Sequence, residues 1–197
     1  MAAVAVHSSR RDEMVAQAAR LFSERGYHGA SMQDLAEALG LLRGSLYAHI
    51  GSKEDLLFDV VNEGADRFLE RGLAAAAGAG PPPERLRAFL GAHVETAIEH
   101  LDAGTVFMNE WRYLSPGLRA TIQEKRDTYE STVRDLLAEG QSSGHFRADL
   151  DVALAARLVL SAGNWVYAWY RPNKELTPQE IGRGYADMLI RGFEEAS

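Results

Sequence analysis

The sequence predicts an all-α protein, and three observations support this prediction. Apolar residues recur three and four positions apart along almost the whole chain, which is the spacing of an amphipathic helix. No segment alternates apolar and polar residues for long enough to predict a strand. Capping residues and prolines stand where the helices of this pattern would begin. We therefore predict about nine helices, of which the first three are short.

The individual helices follow from these signals in chain order. Five apolar faces carry the helical spacing: Val15–Phe22, Met32–Leu39, Leu57–Phe68, Leu86–Leu101 and Ile181–Phe193. Three helix starts combine a hydroxyl with an acid three positions later: Ser31 with Asp34, Ser52 with Asp55, and Thr177 with Glu180. Pro116 and Pro178 fit the first position of a helix, where the N–H that proline lacks would have no partner. Gly26, Gly40 and Gly51 are expected to separate the short helices.

Composition narrows the class of protein. The 197 residues include no cysteine, which excludes disulfides, iron–sulfur clusters and thiolate zinc sites. No basic leader precedes a long apolar run at the N-terminus, and the longest apolar run, 152–170, is interrupted by Arg157 and Asn164. We therefore expect a cytoplasmic protein with no membrane partner and no cofactor. The net charge of −7 repels nucleic acid, so any DNA-binding surface must be local.

Residues 31–47 have the pattern of a helix-turn-helix. A capped helix of about two turns carries the small residue Ala36 on its inner face and ends at Gly40, where glycine permits a left-handed turn. A second short helix follows, and we expect Leu42 and Leu46 to face inward. In such a unit the second helix enters the DNA major groove while its neighbours bind phosphates. The polar residues between the flanking apolar helices then form the recognition surface.

The stretch "AARLFSERGYHGASMQDLAEALGLLRGSLYAHIGSKEDLL" resembles the DNA-binding domain of the TetR family of bacterial transcriptional regulators, over roughly residues 12–57. The resemblance implies a helix-turn-helix DNA-binding domain at 1–51, with an N-terminal arm, and a ligand-binding and dimerisation domain at 52–197. It also implies a set of DNA-contacting residues: Arg10, Arg11, Arg43, Ser45, Tyr47, His49 and Lys53. The two arginines that precede the first helix resemble a basic arm, which we expect to be mobile without DNA.

Several of these positions also fit a second role. Tyr47 and His49 fit either a contact to the DNA backbone or packing within the protein. Arg43 fits either a guanine contact in the major groove or a solvated charge. Lys53 fits both a helix start and a phosphate contact, which are compatible. Leu42 departs from the family, because many members have serine or threonine at this position, and we expect a hydroxyl cap or a phosphate contact to be missing.

Two apolar segments near the C-terminus predict a homodimer. Residues 152–170 are apolar nearly all round, and the predicted helix at 177–195 has a broad apolar stripe. Two such helices in a small protein are buried on several sides when they pair with a copy of themselves, which predicts a four-helix interface. The predicted interface residues are Trp169, Tyr185, Met188, Leu189 and Phe193. A two-fold dimer implies a palindromic operator as the DNA partner.

Large side chains cluster in "TVFMNEWRYLSP" at 105–116, which we predict to be one short helix. Core packing is one interpretation, and a ligand pocket is the other. The predicted pocket residues are Phe89, His93, Met108, Trp111, Arg112, Asn164 and Trp165. The motifs "EWRYLSP", "RDTYE", "GHFRADLD" and "WYRP" resemble the branch of the family that senses acyl-CoA thioesters. That resemblance implies an apolar small-molecule effector such as an acyl-CoA.

The sequence therefore predicts a ligand-responsive transcriptional regulator, in the family's usual mode a repressor that its effector releases from DNA. The same kind of regulator with a different hydrophobic ligand is one alternative. An all-α enzyme such as a ferritin-like diiron protein is another, but the Glu-x-x-His motif that it needs does not occur. No phosphate loop or Gly-x-Ser-x-Gly elbow occurs either, and we predict no enzymatic activity. A helical adaptor that does not bind DNA is the third alternative.

Overall fold

Every regular element of the computed structural model is a helix within residues 10–172 and 176–195, the part of the chain that the structure describes. The helices are α1 (Arg10–Gly29), α2 (Met32–Ala38), α3 (Arg43–Tyr47), α4 (Lys53–Ala76), α5 (Pro82–Glu99), α6 (Leu101–Asn109), a 3-10 turn (Trp111–Tyr113), α7 (Pro116–Ser142), α8 (Val152–Asn164), α9 (Val166–Trp169) and α10 (Pro178–Phe193). The all-α prediction is confirmed. Because α9 is a single turn directly after α8, the segments agree with about nine predicted helices. The prediction that the first three helices are short is wrong for α1, which has 20 residues because Gly26 interrupts the helix without ending it. None of the helices in the described ranges is both long and apolar enough to cross a bilayer.

Side-chain caps form at the helix starts that the sequence predicted. Ser31 Oγ accepts a hydrogen bond from the Asp34 N–H at 3.1 Å, and the Asp34 carboxylate accepts one from the Ser31 N–H at 2.7 Å. The pair at Thr177 closes the start of α10 in the same reciprocal way, and Ser52 caps α4 with a single bond. These bonds satisfy N–H groups that a helix start otherwise leaves without partners.

The chain divides into two compact units. Of the described residues, the first unit contains 10–64 and 102–119, and the second contains 65–101 and 120–195. Helix α4 contributes its first half to one unit and its second half to the other. The predicted boundary between residues 51 and 52 divides a DNA-binding part from a ligand-binding and dimerisation part, and it does not coincide with the division into compact units. It stays a prediction.

The first unit buries one face of each of its N-terminal helices. Its buried apolar side chains include Met14, Ala18 and Phe22 on α1, Leu35 and Ala36 on α2, Leu46 on α3, and Leu57, Val60 and Val61 on α4. Helix α2 contacts both α1 and α3. Gly26 has φ 72° where α1 is interrupted, and Gly40 has φ 64° where α2 ends. Both values lie in the left-handed region, which glycine adopts without steric cost.

Helices α5, α7, α8 and α10 build the core of the second unit. Helix α10 packs along α5, and α8 contacts both. A Cβ atom placed at Gly182 of α10 would lie 2.8 Å from the Gly91 Cα atom of α5, so glycine permits this close approach. Phe193 is only 5% exposed and packs edge-on against Phe146, with ring centroids 6.0 Å apart. Because its side chain is buried within its own chain, we remove Phe193 from the predicted dimer interface.

The aromatic segment at 105–116 is not one helix, contrary to the prediction. Helix α6 ends at Asn109, and the 3-10 turn follows. Leu114 is extended, with φ −67° and ψ 146°. Pro116 opens the next helix, and its ring disfavours helical backbone at the residue before it. The large side chains of this segment therefore do not share one helix face.

Candidate nucleic-acid interface and buried polar site

The connection between α2 and α3 has the features of a helix-turn-helix. Gly40 takes the left-handed conformation, and the Leu41 N–H donates to the Ala36 carbonyl at 2.8 Å. Ala36 and Leu46 are both fully buried, so the small side chain lets α3 lie close to α2 as the sequence predicted. Leu42 precedes α3 without a side-chain hydrogen bond to it, because leucine has no hydroxyl group that could cap the helix.

Helix α3 turns a polar surface to solvent and an apolar side to the unit. Leu46 and Ile50 are buried. Three of the predicted DNA-contacting residues are exposed on α3 or just after it: Ser45, Tyr47 and His49. Arg43 is the first residue of α3, and its side chain lies outside the described part of the structure. The exposure of Tyr47 and His49 is consistent with a contact to DNA.

Leu42 also faces solvent, with 82% of its surface exposed, and the prediction that it faces inward is wrong. It lies in extended backbone before α3, with φ −71° and ψ 141°, so the helical period that places Leu46 inside does not reach it. Two residues further, a Cβ atom at Gly44 would have no atom of the described structure within 4 Å, apart from its chain neighbours and the backbone of its own helix. Packing in the described structure therefore requires neither the Leu42 side chain nor a glycine at position 44.

Lys53 is the first residue of α4 and follows the end of α3 by six residues in the sequence. Its Nζ atom is 4.3 Å from the centroid of the Tyr27 ring, which is a cation–π distance. Burial lowers the pKa of Lys53, and the charge of Asp34 opposes that shift. The N–H groups at a helix start favour an anion, so a cation held there suits the predicted phosphate contact.

Arg10 and Arg11 form the first turn of α1 and not a mobile arm. Arg10 donates to Glu13 at 2.9 Å, and Arg11 donates to Asp59 of α4 at 2.6 Å. The expectation of mobility is therefore wrong for these two residues, while residues 1–9 of the arm lie outside the described ranges. Exposed ion pairs contribute at most about 1 kcal/mol, so each guanidinium group can exchange its carboxylate for a phosphate at low cost.

The segment after α6 binds to α1 and α4, a connection that the sequence did not reveal. The Tyr27 N–H donates to Glu110 Oε2 at 2.8 Å, and the Ser115 N–H donates to Glu54 Oε1 at 2.6 Å. Tyr113 stacks on Tyr27, with ring centroids 6.0 Å apart and an interplanar angle of 17°. Burial raises the pKa of Tyr27, and the charge of Glu54 adds to that shift. These bonds hold together the two helices that flank the helix-turn-helix.

The predicted pocket residues belong to two different compact units. The first unit contains Met108, Trp111 and Arg112, and the second contains Phe89, His93, Asn164 and Trp165. Arg112 is exposed and Trp165 is 64% exposed, whereas Phe89 is buried. His93 is also buried and is the polar centre of the second group. In the described part of the chain, no three acidic or histidine side chains come together as a metal ion would require.

His93 and Tyr129 form a buried polar pair in the second unit. His93 Nδ1 lies 3.0 Å from the Tyr129 hydroxyl, and His93 Nε2 has no hydrogen-bond partner among the described residues. Phe89 packs beside both rings. Two glycines make room for them, because a Cβ atom at Gly163 would lie 2.4 Å from His93 Cδ2 and one at Gly72 would lie 2.4 Å from the Tyr129 ring. Four helices thus meet at this pair, and Tyr129 could not be found from local sequence spacing.

Both members of this pair are neutral at pH 7, and burial widens the pH range over which they stay neutral. It lowers the pKa of His93 to about 4, and the Asn164 side chain opposes the shift only in part. Burial also raises the pKa of Tyr129 above its ordinary value. A neutral imidazole has one N–H group and one acceptor nitrogen, so Nε2 can form one further hydrogen bond. A buried polar atom without a partner is uncommon and marks a position where a ligand or water can bind.

Five large apolar side chains on or directly beside α8, α9 and α10 are exposed, and we refer to them together as the apolar surface of the second unit: Leu154, Leu158, Trp165, Trp169 and Met188. Two other predicted interface residues, Tyr185 and Leu189, are partly buried against the core. The sequence interpretation missed Leu154 and Leu158, although their spacing of four on α8 places them on one helix face.

Two family models match the chain. The model described as "Bacterial regulatory proteins, tetR family" matches residues 15–60, which include the helix-turn-helix. The model described as "Tetracyclin repressor-like, C-terminal domain" matches residues 79–193, which is more than half of the chain. The first match contains the helix-turn-helix and Lys53, and the second contains the buried polar pair.

Individual relatives resemble this chain over nearly its full length. The HTH-type transcriptional repressor KstR2 of Mycobacterium tuberculosis is 35% identical over 189 residues, covering 94% of each chain. The solved structure of that ketosteroid transcriptional regulator has a TM-score of 0.90 and covers 96% of this chain and 97% of its own. PfmR of Thermus thermophilus, a TetR family regulator, has 38% identity and a TM-score of 0.86, covering 93% of this chain and all of its own. AibR in complex with isovaleryl coenzyme A and operator DNA has 31% identity and a TM-score of 0.84, covering 92% and 98%.

The buried His93 makes the free energy of unfolding depend on pH. Its pKa is about 4 in the folded protein and 6.5 when exposed, so the unfolded state takes up a proton first as the pH falls. Stability is therefore retained above pH 6.5 and lost as the pH falls from 6.5 towards 4, by about 2 kcal/mol between pH 7 and pH 5. Urea unfolding at these two pH values measures this loss. The His93→Gln variant should lack it, and the exposed control His145→Gln should retain it; equal losses in all three proteins would contradict the assignment.

Proposed function

Because the chain belongs to the TetR family of bacterial regulatory proteins, we propose that it is a homodimeric repressor that releases a palindromic operator when it binds an apolar effector such as an acyl-CoA. Family membership makes the protein a TetR-type DNA-binding regulator and not an enzyme, so the all-α enzyme and the adaptor alternatives are dropped. Repression is supported by the similarity to the KstR2 proteins, which are HTH-type transcriptional repressors. Such a regulator would act in the bacterial cytoplasm, where its operator lies.

The exposed surface of α3 is the observation that supports the choice of DNA contacts. Five helical residues extend over roughly 8 Å, which fits within a major groove about 12 Å wide. Ser45, Tyr47 and His49 are exposed while Leu46 anchors the helix from the other side. Lys53 would add a phosphate contact, and Arg43 keeps its sequence-based role as a guanine contact.

The apolar surface of the second unit supports the proposal of a dimer. Leu158 and Met188 are 50% and 65% exposed, and neither is used by the core of the protomer. Covering such side chains with a second copy removes about 25 cal/mol of unfavourable free energy per Å² of apolar area. A two-fold dimer implies a palindromic operator, and binding by both protomers would require their recognition helices to enter the DNA about 34 Å apart.

The buried polar pair supports the proposal of an effector site. His93 Nε2 can form one hydrogen bond to an uncharged group such as a thioester carbonyl, and the surrounding phenylalanine rings suit an acyl chain. Helix α4 carries Gly72 beside the Tyr129 ring and Lys53 at its first turn. A ligand that displaces the pair would therefore act on the helix that carries a phosphate contact. The ligand can shift the equilibrium between the DNA-binding state and the released state only by the difference in its affinity for the two, typically about 1–3 kcal/mol.

Replacement of Lys53 by alanine should weaken binding to all DNA sequences alike. With one phosphate contact fewer, the variant releases fewer counterions when it binds DNA. The slope of the logarithm of the binding constant against the logarithm of the salt concentration should therefore become shallower by about one. Fluorescence anisotropy with duplexes from the regions next to its gene, at several salt concentrations, measures both quantities. Lys125→Ala removes the same charge from the second unit and should leave the slope unchanged. If Lys53→Ala binds with an unchanged slope, this residue does not contact a phosphate.

Replacement of Leu158 by glutamate should abolish the dimer. The variant would place a charge in the centre of an apolar interface, which costs several kcal/mol when the charge is unpaired. Sedimentation velocity at micromolar concentration should show monomer, and binding to the palindromic duplex should be lost. Ala138→Glu adds the same charge to an exposed position on α7 and should stay dimeric. A wild-type monomer, or a dimeric Leu158→Glu variant, would contradict the proposed interface.

Acyl-CoA thioesters should release the protein from DNA. Titration of the protein–DNA complex with acyl-CoAs of several chain lengths should lower the anisotropy of labelled DNA, whereas the free acids and coenzyme A alone should not. The His93→Gln variant should bind DNA normally and require roughly tenfold more thioester, because the hydrogen bond from His93 is changed. The His145→Gln control should respond like the wild type. Absence of release by every thioester would exclude this class and leave another apolar ligand as the effector.

A further inference from the structure

Leu42 is a large apolar side chain that the protein exposes on its proposed DNA-binding surface. It is 82% exposed and forms the N-cap position of α3, where it makes no side-chain hydrogen bond. Single exposed leucines are ordinary on protein surfaces. The position of this one is informative, because residues at the start of a recognition helix face the base edges in the major groove.

We propose that Leu42 contacts the C5-methyl group of a thymine and so selects thymine at one position in each half of the operator. This inference rests on the proposed DNA-binding function and adds a base preference to it. The thymine methyl is the apolar group that base pairs present in the major groove, and apolar side chains contact it. Leucine has no donor or acceptor to offer the polar edges of the other bases. Against those edges it would displace water without replacing its hydrogen bonds.

The structure around Leu42 favours a close contact between its side chain and a base in the major groove. Gly44, two residues along the chain, has open space where a side chain would project. A recognition helix without a side chain at that point can lie close to the bases. Such a close approach is needed because the leucine side chain is short. Leu46 holds α3 from the opposite side and is fully buried, so the fold depends on Leu46 and not on Leu42.

The same exposure makes Leu42→Ala a clean variant. Its side chain contributes little buried surface in the described structure, so its removal should leave the melting temperature and the dimer unchanged. Its removal should also leave the salt dependence of DNA binding unchanged, because no charge is lost. These two controls separate a base contact from a general effect on folding or on phosphate binding.

The test compares duplexes in which thymines are replaced one symmetric pair at a time by deoxyuridine, which lacks only the methyl group. At one pair the wild type should lose about fourfold in affinity for each half of the operator, the value expected for one buried methyl group. Leu42→Ala should bind the thymine and deoxyuridine duplexes equally well at that pair. Lys53→Ala should bind more weakly overall but keep the full deoxyuridine penalty, since it acts on a different contact.

Each outcome decides the inference. A deoxyuridine penalty that disappears in Leu42→Ala at one symmetric position supports it. A penalty of equal size in both proteins, or no penalty at any thymine, overturns it while leaving the DNA-binding function intact. Failure of the wild type to bind any duplex with sequence preference would overturn the proposed function, and the thymine contact with it.

Discussion

Burial of Leu46 and Ile50 holds the recognition surface in place. Helix α3 has five residues, and helices of that length are unstable in water because nucleation orders several residues for few hydrogen bonds. Its conformation therefore comes from packing, with Leu46 fully buried, Ile50 nearly so, and Gly40 directing the chain from α2 into α3. Once two side chains carry the anchoring, the remaining positions of this segment are available to contact DNA.

The segment after α6 extends this support to the rest of the first unit. Glu110 bonds to α1, Ser115 bonds to α4, and Tyr113 stacks on Tyr27, whose ring also carries the Lys53 ammonium group. A shift of this segment would reach the proposed phosphate contact without any change inside α3. A packed network of this kind can carry coupling between an effector and DNA if it has two stable arrangements.

The charge state of the buried His93–Tyr129 pair limits which chemical groups of an effector can bind beside it. His93 and Tyr129 are both neutral at pH 7, and burial opposes charging of either one, so the pair offers hydrogen bonds but no charge. A thioester carbonyl matches such a site, since it accepts a hydrogen bond without a charge of its own. A carboxylate would have to lose its hydration without a cationic partner, which is expensive in an apolar interior. The same physical argument favours thioesters over free acids.

Local signals in the sequence determined the class, the helix starts and the helix-turn-helix. Caps such as Ser31 and Thr177 form because their hydrogen bonds lie within three residues, and the family resemblance depended on this N-terminal region. Only the tertiary structure decided which apolar side chains meet their own chain: Leu42 is exposed, whereas Phe193 is inside. It also decided that His93 meets Tyr129. Helical periodicity shows that a face is apolar, but what covers that face depends on residues far away in sequence.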